Sequence, residues 1–342
     1  MQRFDSKSST SPPADQRLSL THRLRLLLHY GDRPWNGLLV LMSVLVLFIM
    51  IIIGWMLWKD SAASRHEFGW WFLQPTLHAA WNPVFDKFQS WPFIYGTLLT
   101  SLTALIIAVP VSLGVAIFLA ELSPEWLRLP LSWMVELLAA IPSVVYGLWG
   151  IFVFLPVVVT AVGNFLASTF GLLPVIGVFF RGPIPDSGSS RLAAGLILAI
   201  MVIPTIAAVS RDVFLAIPDN QREASLALGA TQWETIWKVL IPYGLSGILG
   251  AVILGLGRAL GETMAVTLVI GNSLEGSLSL LRPGYTMSSV IANQFAEAVS
   301  PLHEQALIEI GLVLFIMTLI LNIIARFLVM RVARRSPQKV RK

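Results

Sequence analysis

The sequence contains no cysteine, and only 13% of its 342 residues are charged. Without cysteine the chain has no disulfide, no thiol nucleophile and no thiolate metal site. The five histidines, which are His22, His29, His66, His78 and His303, are scattered and lack the spacing of metal ligands. No lysine follows a glycine, so the G-x-x-x-x-G-K-[ST] loop of nucleotide-hydrolysing enzymes is absent. We therefore expect no catalytic site, no metal and no cofactor in this chain.

Apolar residues dominate what is present. They make up 56% of the sequence, and the mean hydropathy is +0.75, whereas soluble domains have about a quarter of their residues charged. A transmembrane helix needs about 20 apolar residues. Six runs are long enough to span a membrane, and they cover residues 36–58, 95–120, 133–159, 192–209, 243–270 and 305–329. We predict an all-α membrane protein with six transmembrane helices.

Basic residues set the predicted orientation. They are concentrated at both ends of the chain, and positively charged flanks normally stay in the cytosol. Both termini are therefore expected in the cytosol, which requires an even number of spans. A seventh apolar run at 161–180 is interrupted by glycines, Asn164 and Pro174, and is predicted to be an outer-face helix or a re-entrant segment. The predicted organisation is a cytosolic tail (1–34), a first span with an outer loop (35–94), a core (95–330) and a basic cytosolic tail (331–342).

The stretch 223–242 is a polar insert between the fourth and fifth predicted spans. It begins as a helix with Glu223 and Ala224, and Gly229 permits a sharp turn because glycine adopts positive φ at little cost. The chain then resumes with apolar residues at helical spacing, and Pro242 suits the first turn of the next helix. We predict two short helices meeting at Gly229 on the cytosolic side. An ordinary helix-turn-helix loop explains the same spacing.

Arg258 and Glu262 lie within the fifth predicted span, four residues apart, so a continuous helix places them on one face. A charge at bilayer depth costs about 2.5 to 3.5 kcal/mol and normally faces a protein interior or a watery path. Arginine suits a tetrahedral oxyanion, because its fork donates two parallel hydrogen bonds. An ionised carboxylate at Glu262 accepts a hydrogen bond from the O–H that phosphate carries, and it repels sulfate, which has no O–H to donate. The alternative is that the two residues pair with one another.

Neighbouring small and hydroxyl residues extend this candidate site. Glycines at 255, 257 and 261 are expected to leave one side of the fifth span without side chains, so that another helix or the substrate can approach its backbone. In the third span Ser143 and Tyr146 follow Pro142, which frees backbone groups, so both hydroxyls are candidates for the substrate path. A plain helix kink explains Pro142 equally well.

Two sets of residues resemble a known family. Glu223-Ala224-Ser225, Gly229 and the Pro242 ending are similar to the EAA loop of ABC importer permeases, although Ser225, Val239 and Ile241 depart from its commonest pattern. Residues 136–147 and 255–266, with Gly271-Asn272 after them, resemble blocks of the phosphate permeases of Pst importers. From residue 95 onward the order of these blocks is similar to the PstC-type subunit family, with the PstA-type subunit as the near relative.

The resemblance implies a six-helix type I permease fold in the cell inner membrane, with inorganic phosphate as substrate. It also implies partners: a PstA-like second permease forming a heterodimer, a PstB-like ATPase dimer that binds ATP and magnesium, and a PstS-like periplasmic phosphate-binding protein. Within that family the EAA loop contacts the ATPase, which assigns this role to Glu223, Ala224, Gly229 and Pro242. Arg258, Glu262, Ser143 and Tyr146 are the expected substrate residues.

Other functions remain open from the sequence. The cargo of an ABC permease of this kind is alternatively molybdate or sulfate, and competition among oxyanions for uptake discriminates them. A different class is an ion-coupled secondary transporter, in which Arg258 and Glu262 relay a proton or an ion. That reading leaves the EAA-like insert unexplained.

Overall fold

A computed structural model of the chain describes residues 32–76, 81–174, 176–274 and 276–333. Most of both predicted tails lies outside these residues. The chain divides into two compact units, Met1–Trp55 and Met56–Lys342. The first unit, where described, is part of one apolar helix, α1 (Asp32–Asp60). Everything that bears on the candidate site belongs to the second unit.

The described part of the second unit is built almost entirely from helices, and two isolated β-bridges are its only extended pairings. The helices are α2 (Ala62–Phe68), α3 (Trp91–Ile117), α4 (Glu125–Ala140), α5 (Ser143–Trp149), α6 (Thr160–Phe170), α7 (Arg191–Leu215), α8 (Asp219–Ala227), α9 (Gln232–Thr235), α10 (Ile241–Gly261), α11 (Met264–Val269), α12 (Met287–Gln294) and α13 (Pro301–Ala333). Short 3₁₀ turns cover Gly69–Leu73, Ile176–Phe180 and Phe295–Glu297. Wider π-helical turns at Phe118–Leu122, Gly150–Val159 and Ile236–Leu240 extend α3, join α5 to α6 and join α9 to α10.

Six helical stretches of the described residues are long and apolar enough to cross a membrane, which confirms the predicted number. They are Trp35–Asp60, Trp91–Leu122, Ser143–Phe170, Arg191–Leu215, Gln232–Gly261 and Pro301–Arg331. The first, second, fourth and sixth contain the runs expected from the sequence. The third and fifth differ from those runs in their bounds.

The third span begins ten residues later than expected because the chain breaks at Pro142. Ile141 and Pro142 are extended, with ψ of 130° and 139°, since a residue before proline disfavours the helical region. The predicted span 133–159 therefore belongs to two helices, α4 and the stretch from α5 to α6. The run 161–180 is likewise not one separate segment, because its first half is α6 at the end of the third span and its last residues form a 3₁₀ turn.

Helix α7 is the most buried span and forms the centre of the unit. Ser190 caps its start, where its side chain accepts a hydrogen bond from Ala193 N–H at 3.1 Å. The helix packs closely against α3 and α10. A Cβ at Gly255 of α10 would lie 2.7 Å from Ile206 and 2.8 Å from Val202 of α7, so glycine is required at this crossing. Close packing against α7 therefore fixes the position of α10 and of its side chains.

The segment before α3 packs in a second hydrophobic cluster, separate from the one around α7. An aromatic cluster there contains Phe72, Trp81, Phe88 and Phe93, all buried. The indole N–H of Trp81 donates to Gln294 Oε1 of α12 at 2.7 Å. The segment before α3 is thereby fixed to α12 and α13, while Val84 in the same segment stays 84% exposed.

Candidate functional site

Arg258 lies near the end of α10 and faces α7. Its guanidinium donates a hydrogen bond from Nη1 to Thr205 Oγ1 at 2.9 Å. The side chain is half-buried and makes no ion pair with any described residue. The neutral hydroxyl of Thr205 orients the guanidinium but does not neutralise its positive charge. The positive charge therefore remains available to an anion.

An open cavity of about 540 Å³ lies in front of Arg258. Its walls come from α7, α10 and α13, and it is lined by Thr205, Gly250, Ile253, Leu254, Gly257, Arg258 and Asn322. Thr205 and Asn322 contribute polar side chains, and among the described residues Arg258 is the only charged group that lines this cavity. A small oxyanion fits easily within such a volume. A role of Arg258 in a substrate path stays a prediction.

Glu262 does not share a helix face with Arg258, so this prediction from the sequence is wrong. Helix α10 ends at Gly261, and Glu262 is extended, with φ −67° and ψ 127°. Its Oε1 accepts a hydrogen bond from Ala265 N–H at 3.2 Å in the first turn of α11, and its carbonyl oxygen accepts from Ser288 Oγ at 2.8 Å. Glu262 therefore satisfies a free amide at a helix start. It forms no ion pair with Arg258 in the described structure.

The three glycines around Arg258 do not form the one side-chain-free face of α10 that the sequence had predicted. Gly255 contacts α7, whereas Gly257 faces the cavity and has nothing within 4 Å of a Cβ position. Gly261 is exposed at the end of the helix, also with open space around it. Only Gly257 lines the cavity in front of Arg258.

Tyr146 and Ser143 lie at the helix break of the third span. The buried Tyr146 hydroxyl donates to Leu138 O at 2.9 Å. The same carbonyl accepts from Ile141 N–H at 3.4 Å, and Pro142, one position further on, has no N–H to donate to it. Ser143 is the first residue of α5 and is half-buried. Helix α5 packs against α11 through Gly147, where a Cβ would lie 3.2 Å from Ala265 Cα. The breaks of the third and fifth spans are therefore adjacent, and neither residue lines the cavity of Arg258.

The polar insert folds as two helices with a turn between them, as predicted. Helix α8 is followed by Gly229 with φ +86°, and α9 begins with a capping box in which Thr231 Oγ1 accepts from Glu234 N–H at 3.2 Å and Glu234 Oε2 accepts from Thr231 N–H at 3.1 Å. Glu223, Ala224, Gly229 and Pro242 are all exposed. The four residues expected to contact an ATPase are therefore accessible in this chain.

Arg222 anchors the insert to the membrane helices. It donates to Glu121 at the end of the second span at 2.7 Å, and to the carbonyl oxygens of Phe214 and Ile217, each at 2.7 Å. Hydrogen bonding to Glu121 raises the pKa of Arg222 above its usual range. Sequence reasoning missed this contact, although a charged pair at two span ends on one side of the membrane is a signal for it.

Apolar side chains are exposed around the turn. Leu228 is 90% exposed, and Leu226, Trp233 and Trp237 are exposed as well. A cavity of about 530 Å³ beside them is lined by residues including Ala224, Gly229 and Val239. An exposed apolar patch with a cavity is typical of a protein interaction surface. We name the surface formed by residues 219–242 the coupling surface.

Other residues near the site were not foreseen from the sequence. Thr205 and Asn322 line the same cavity as Arg258 only because α7, α10 and α13 pack together. Arg211 at the end of α7 pairs with Glu136 of α4 at 3.0 Å and with Asp212 at 2.8 Å. Glu136 belongs to one of the blocks that carry the family resemblance, and its observed role is to hold α4 against α7.

Residues 112–336 match the family described as "Binding-protein-dependent transport system inner membrane component". The chain is 46% identical over 301 residues to the "Phosphate transport system permease protein PstC" of Xylella fastidiosa strain Temecula1, covering 87% of this chain and 91% of that protein. It is 45% identical over 318 residues to the protein of the same name from Pasteurella multocida strain Pm70, covering 93% and 95%.

A solved bacterial alginate ABC transporter, crystallised with an alginate pentasaccharide-bound periplasmic protein, contains a chain with the same fold. The TM-score is 0.57 at 16% identity, covering 91% of this chain and 99% of that one. The all-α, six-helix permease fold expected from the sequence is thereby confirmed. The chain belongs to the binding-protein-dependent transport system inner membrane components and, within that family, to the PstC-type permeases.

Proposed function

We propose that the chain is the permease subunit through which an ATP-driven importer moves inorganic phosphate across the inner membrane. The observation that carries this proposal is the Arg258 guanidinium, which faces a cavity of about 540 Å³ and has a hydroxyl but no carboxylate as partner. The relatives named phosphate transport system permease support phosphate as the anion.

The recognition of phosphate follows from the chemistry of the fork. Thr205 occupies Nη1, which fixes the plane of the guanidinium and leaves its other N–H groups for phosphate oxygens. Glu262 supplies the selection for an oxyanion that still carries a proton, because an ionised carboxylate accepts from that proton and repels sulfate. Ser143 and Tyr146 are placed at the adjacent helix breaks. Their contribution is to support α11, whose first turn Glu262 caps.

The energy comes from a separate polypeptide. The coupling surface, with Glu223, Ala224, Gly229 and Pro242 exposed, is the contact for a PstB-like ATPase dimer that binds ATP and magnesium, so this chain itself needs no cofactor. A PstA-like permease completes the membrane unit, and a PstS-like periplasmic protein delivers phosphate. Both termini and the coupling surface are cytosolic in this arrangement.

Phosphate uptake by the complete importer in proteoliposomes tests the proposal. Arg258→Gln removes the charge but keeps a side chain that can reach Thr205. We expect the rate of phosphate uptake to fall by about tenfold or more. Glu262→Gln is expected to retain phosphate uptake in part and to admit sulfate as a competitor. Arg331→Gln is the control, because Arg331 is an exposed arginine on α13 that does not line the cavity.

Three results contradict the proposal. Native phosphate uptake by both the Arg258 and the Glu262 variants makes these residues structural. Stronger competition by molybdate or sulfate than by phosphate identifies another oxyanion as the cargo. Uptake that survives ATP depletion but stops when the membrane potential is collapsed identifies a secondary transporter.

A further inference from the structure

The cavity in front of Arg258 continues into a second cavity. The second has a volume of about 500 Å³ and is lined by Gly250, Ile253, Leu319, Asn322, Ile323, Arg326 and Val329. Gly250, Ile253 and Asn322 line both cavities. The two volumes therefore form one groove between the antiparallel neighbours α10 and α13, with Arg258 in its first part and Arg326 in its second.

Each wall of the groove is a single helix face. On α10 the lining residues Gly250, Ile253, Leu254 and Gly257 follow helical spacing, and on α13 Leu319, Asn322, Ile323 and Arg326 do the same. Neither Gly250 nor Gly257 has an atom within 4 Å of a Cβ position. The glycines are thus not needed for helix packing here. Their effect is to keep the groove wide.

Asn322 and Arg326 give the second part of the groove its polar groups. Asn322 is exposed and uses Nδ2 to donate to Thr318 O at 2.9 Å. Arg326 lies one turn further along α13, about 6 Å along the axis, and is also exposed. In the described part of the chain Arg326 makes no ion pair, in contrast to Arg211 and Arg222.

We propose that Asn322 and Arg326 form a second binding position for the phosphate anion, which receives it from Arg258 along the groove towards the C-terminal end of α13. This inference rests on the proposed function and its orientation, in which that end is cytosolic. The guanidinium groups of Arg258 and Arg326, which form no ion pair with any described residue, line one groove, and the amide of Asn322 lies between them. Phosphate oxygens are the acceptors that such a set of donors fits.

A second position has a physical purpose in transport. An anion held by one cation in an apolar cavity is released slowly, and passage requires sites that are weak or multiple enough to let the ion leave. The amide of Asn322 offers a neutral hydrogen-bonding group between the two cations. Arg326 lies five residues before Arg331, where the last span ends, so an anion beside it is close to solvent.

A single-cysteine reporter measures anion binding directly, because the chain has no cysteine of its own. Ile323→Cys places a thiol in the second part of the groove. In the complete importer we expect an anionic thiosulfonate reagent to modify it faster than a cationic one, and inorganic phosphate to slow the modification. Adding Arg326→Gln is expected to lower the anionic-to-cationic rate ratio several-fold and to abolish protection by phosphate. Arg326→Lys should restore the ratio in part.

The control is Arg331→Gln in the same reporter background, which removes an equal charge from the same helix and should leave the ratio and the protection unchanged. An equal effect of both variants, or no protection by phosphate in the native groove, overturns the proposal. A uniform loss of reagent access in the Arg326→Gln variant signals misfolding. The Arg326→Lys variant then carries the test, and absence of phosphate protection in it also counts against the proposal.

Two further arms separate the alternatives. The groove could hold the phosphate of a lipid headgroup, so the labelling is repeated in nanodiscs of phosphatidylcholine alone and with phosphatidylglycerol added. Protection by phosphate in both membranes supports the proposal, whereas a groove that responds only to phosphatidylglycerol overturns it. Uptake by Arg258→Gln is measured in parallel. Lost uptake with an unresponsive reporter refutes this inference alone, while native uptake refutes the proposed function.

Discussion

Four arginine side chains of this protein differ in whether a carboxylate is their partner. Arg222 and Arg211 are paired with carboxylates and hold helices together. Arg258 has one hydroxyl partner, and Arg326 makes no ion pair among the described residues. A buried cation paired with a carboxylate is held for structure, whereas a cation facing a cavity without one is available to a ligand.

Arg222→Gln should destabilise the protein, because it leaves Glu121, whose side chain is 9% exposed, without its cation. The carbonyl oxygens of Phe214 and Ile217 also lose their donor. We expect a loss of about 3 kcal/mol, typical of a broken buried pair, seen as a lower Tm of the assembled importer. Lys238→Gln is the control, because its pair with Glu234 is exposed, with side chains 72% and 43% accessible. Equal Tm values for the two variants would refute the anchoring role of Arg222.

The sequence was sufficient to identify Arg258 but not its surroundings. A charge inside an apolar run is conspicuous, because its burial is costly whatever the fold. Thr205 lies 53 residues away and is an ordinary polar residue of a span, and Asn322 is more distant still. Their place in the same cavity as Arg258 depends on the packing of α7, α10 and α13, and no local spacing encodes it.

At the scale of elements, the helix ends that a local residue signals were predicted, and those set by distant contacts were not. The turn at Gly229 was recognised because glycine at this place in a polar insert indicates positive φ. Pro142 was expected to free backbone groups or to kink the helix, and its effect on the bounds of the third span was missed. The end of α10 at Gly261 carries no proline. It is stabilised by Glu262 and Ser288, a contact across 26 residues that hydropathy does not reveal.

Substitutions at Gly229 test the geometry of the turn. Its φ is +86° and no atom lies within 4 Å of a Cβ position, so a side chain meets backbone strain and no clash. Asparagine tolerates this region, whereas a β-branched residue is a strong outlier there, at a cost of about 1 to 2 kcal/mol. We expect Gly229→Asn to retain phosphate-stimulated ATP hydrolysis and Gly229→Val to lose much of it, with the same amount of protein in the membrane. Identical hydrolysis by the two variants would show that the turn is not needed for coupling.

For the whole molecule, the number of spans and their orientation were predicted from hydropathy and from charge. Hydropathy predicted the six spans, since burial in lipid is governed by composition over about 20 residues. The groove between α10 and α13 was not predicted, because it requires two helix faces from separate spans to meet. From the positive-inside rule we expect the coupling surface in the cytosol and the segment around Val84 outside.

Cysteine labelling tests this orientation and the ATPase contact together, since each variant carries the only thiol of the chain. Leu228→Cys and Val84→Cys suit the purpose because the native side chains are 90% and 84% exposed. With a membrane-impermeant maleimide we expect Val84→Cys to react in spheroplasts, and Leu228→Cys to react only after the membrane is permeabilised. In the assembled importer the ATPase should slow labelling of Leu228→Cys, because burying an exposed apolar side chain of this size against a partner is favourable by about 1.5 to 3 kcal/mol, while Val84→Cys keeps its rate. Labelling of Leu228→Cys from outside reverses the proposed topology, and an unchanged rate with the ATPase bound places the energy-coupling contact elsewhere on the chain.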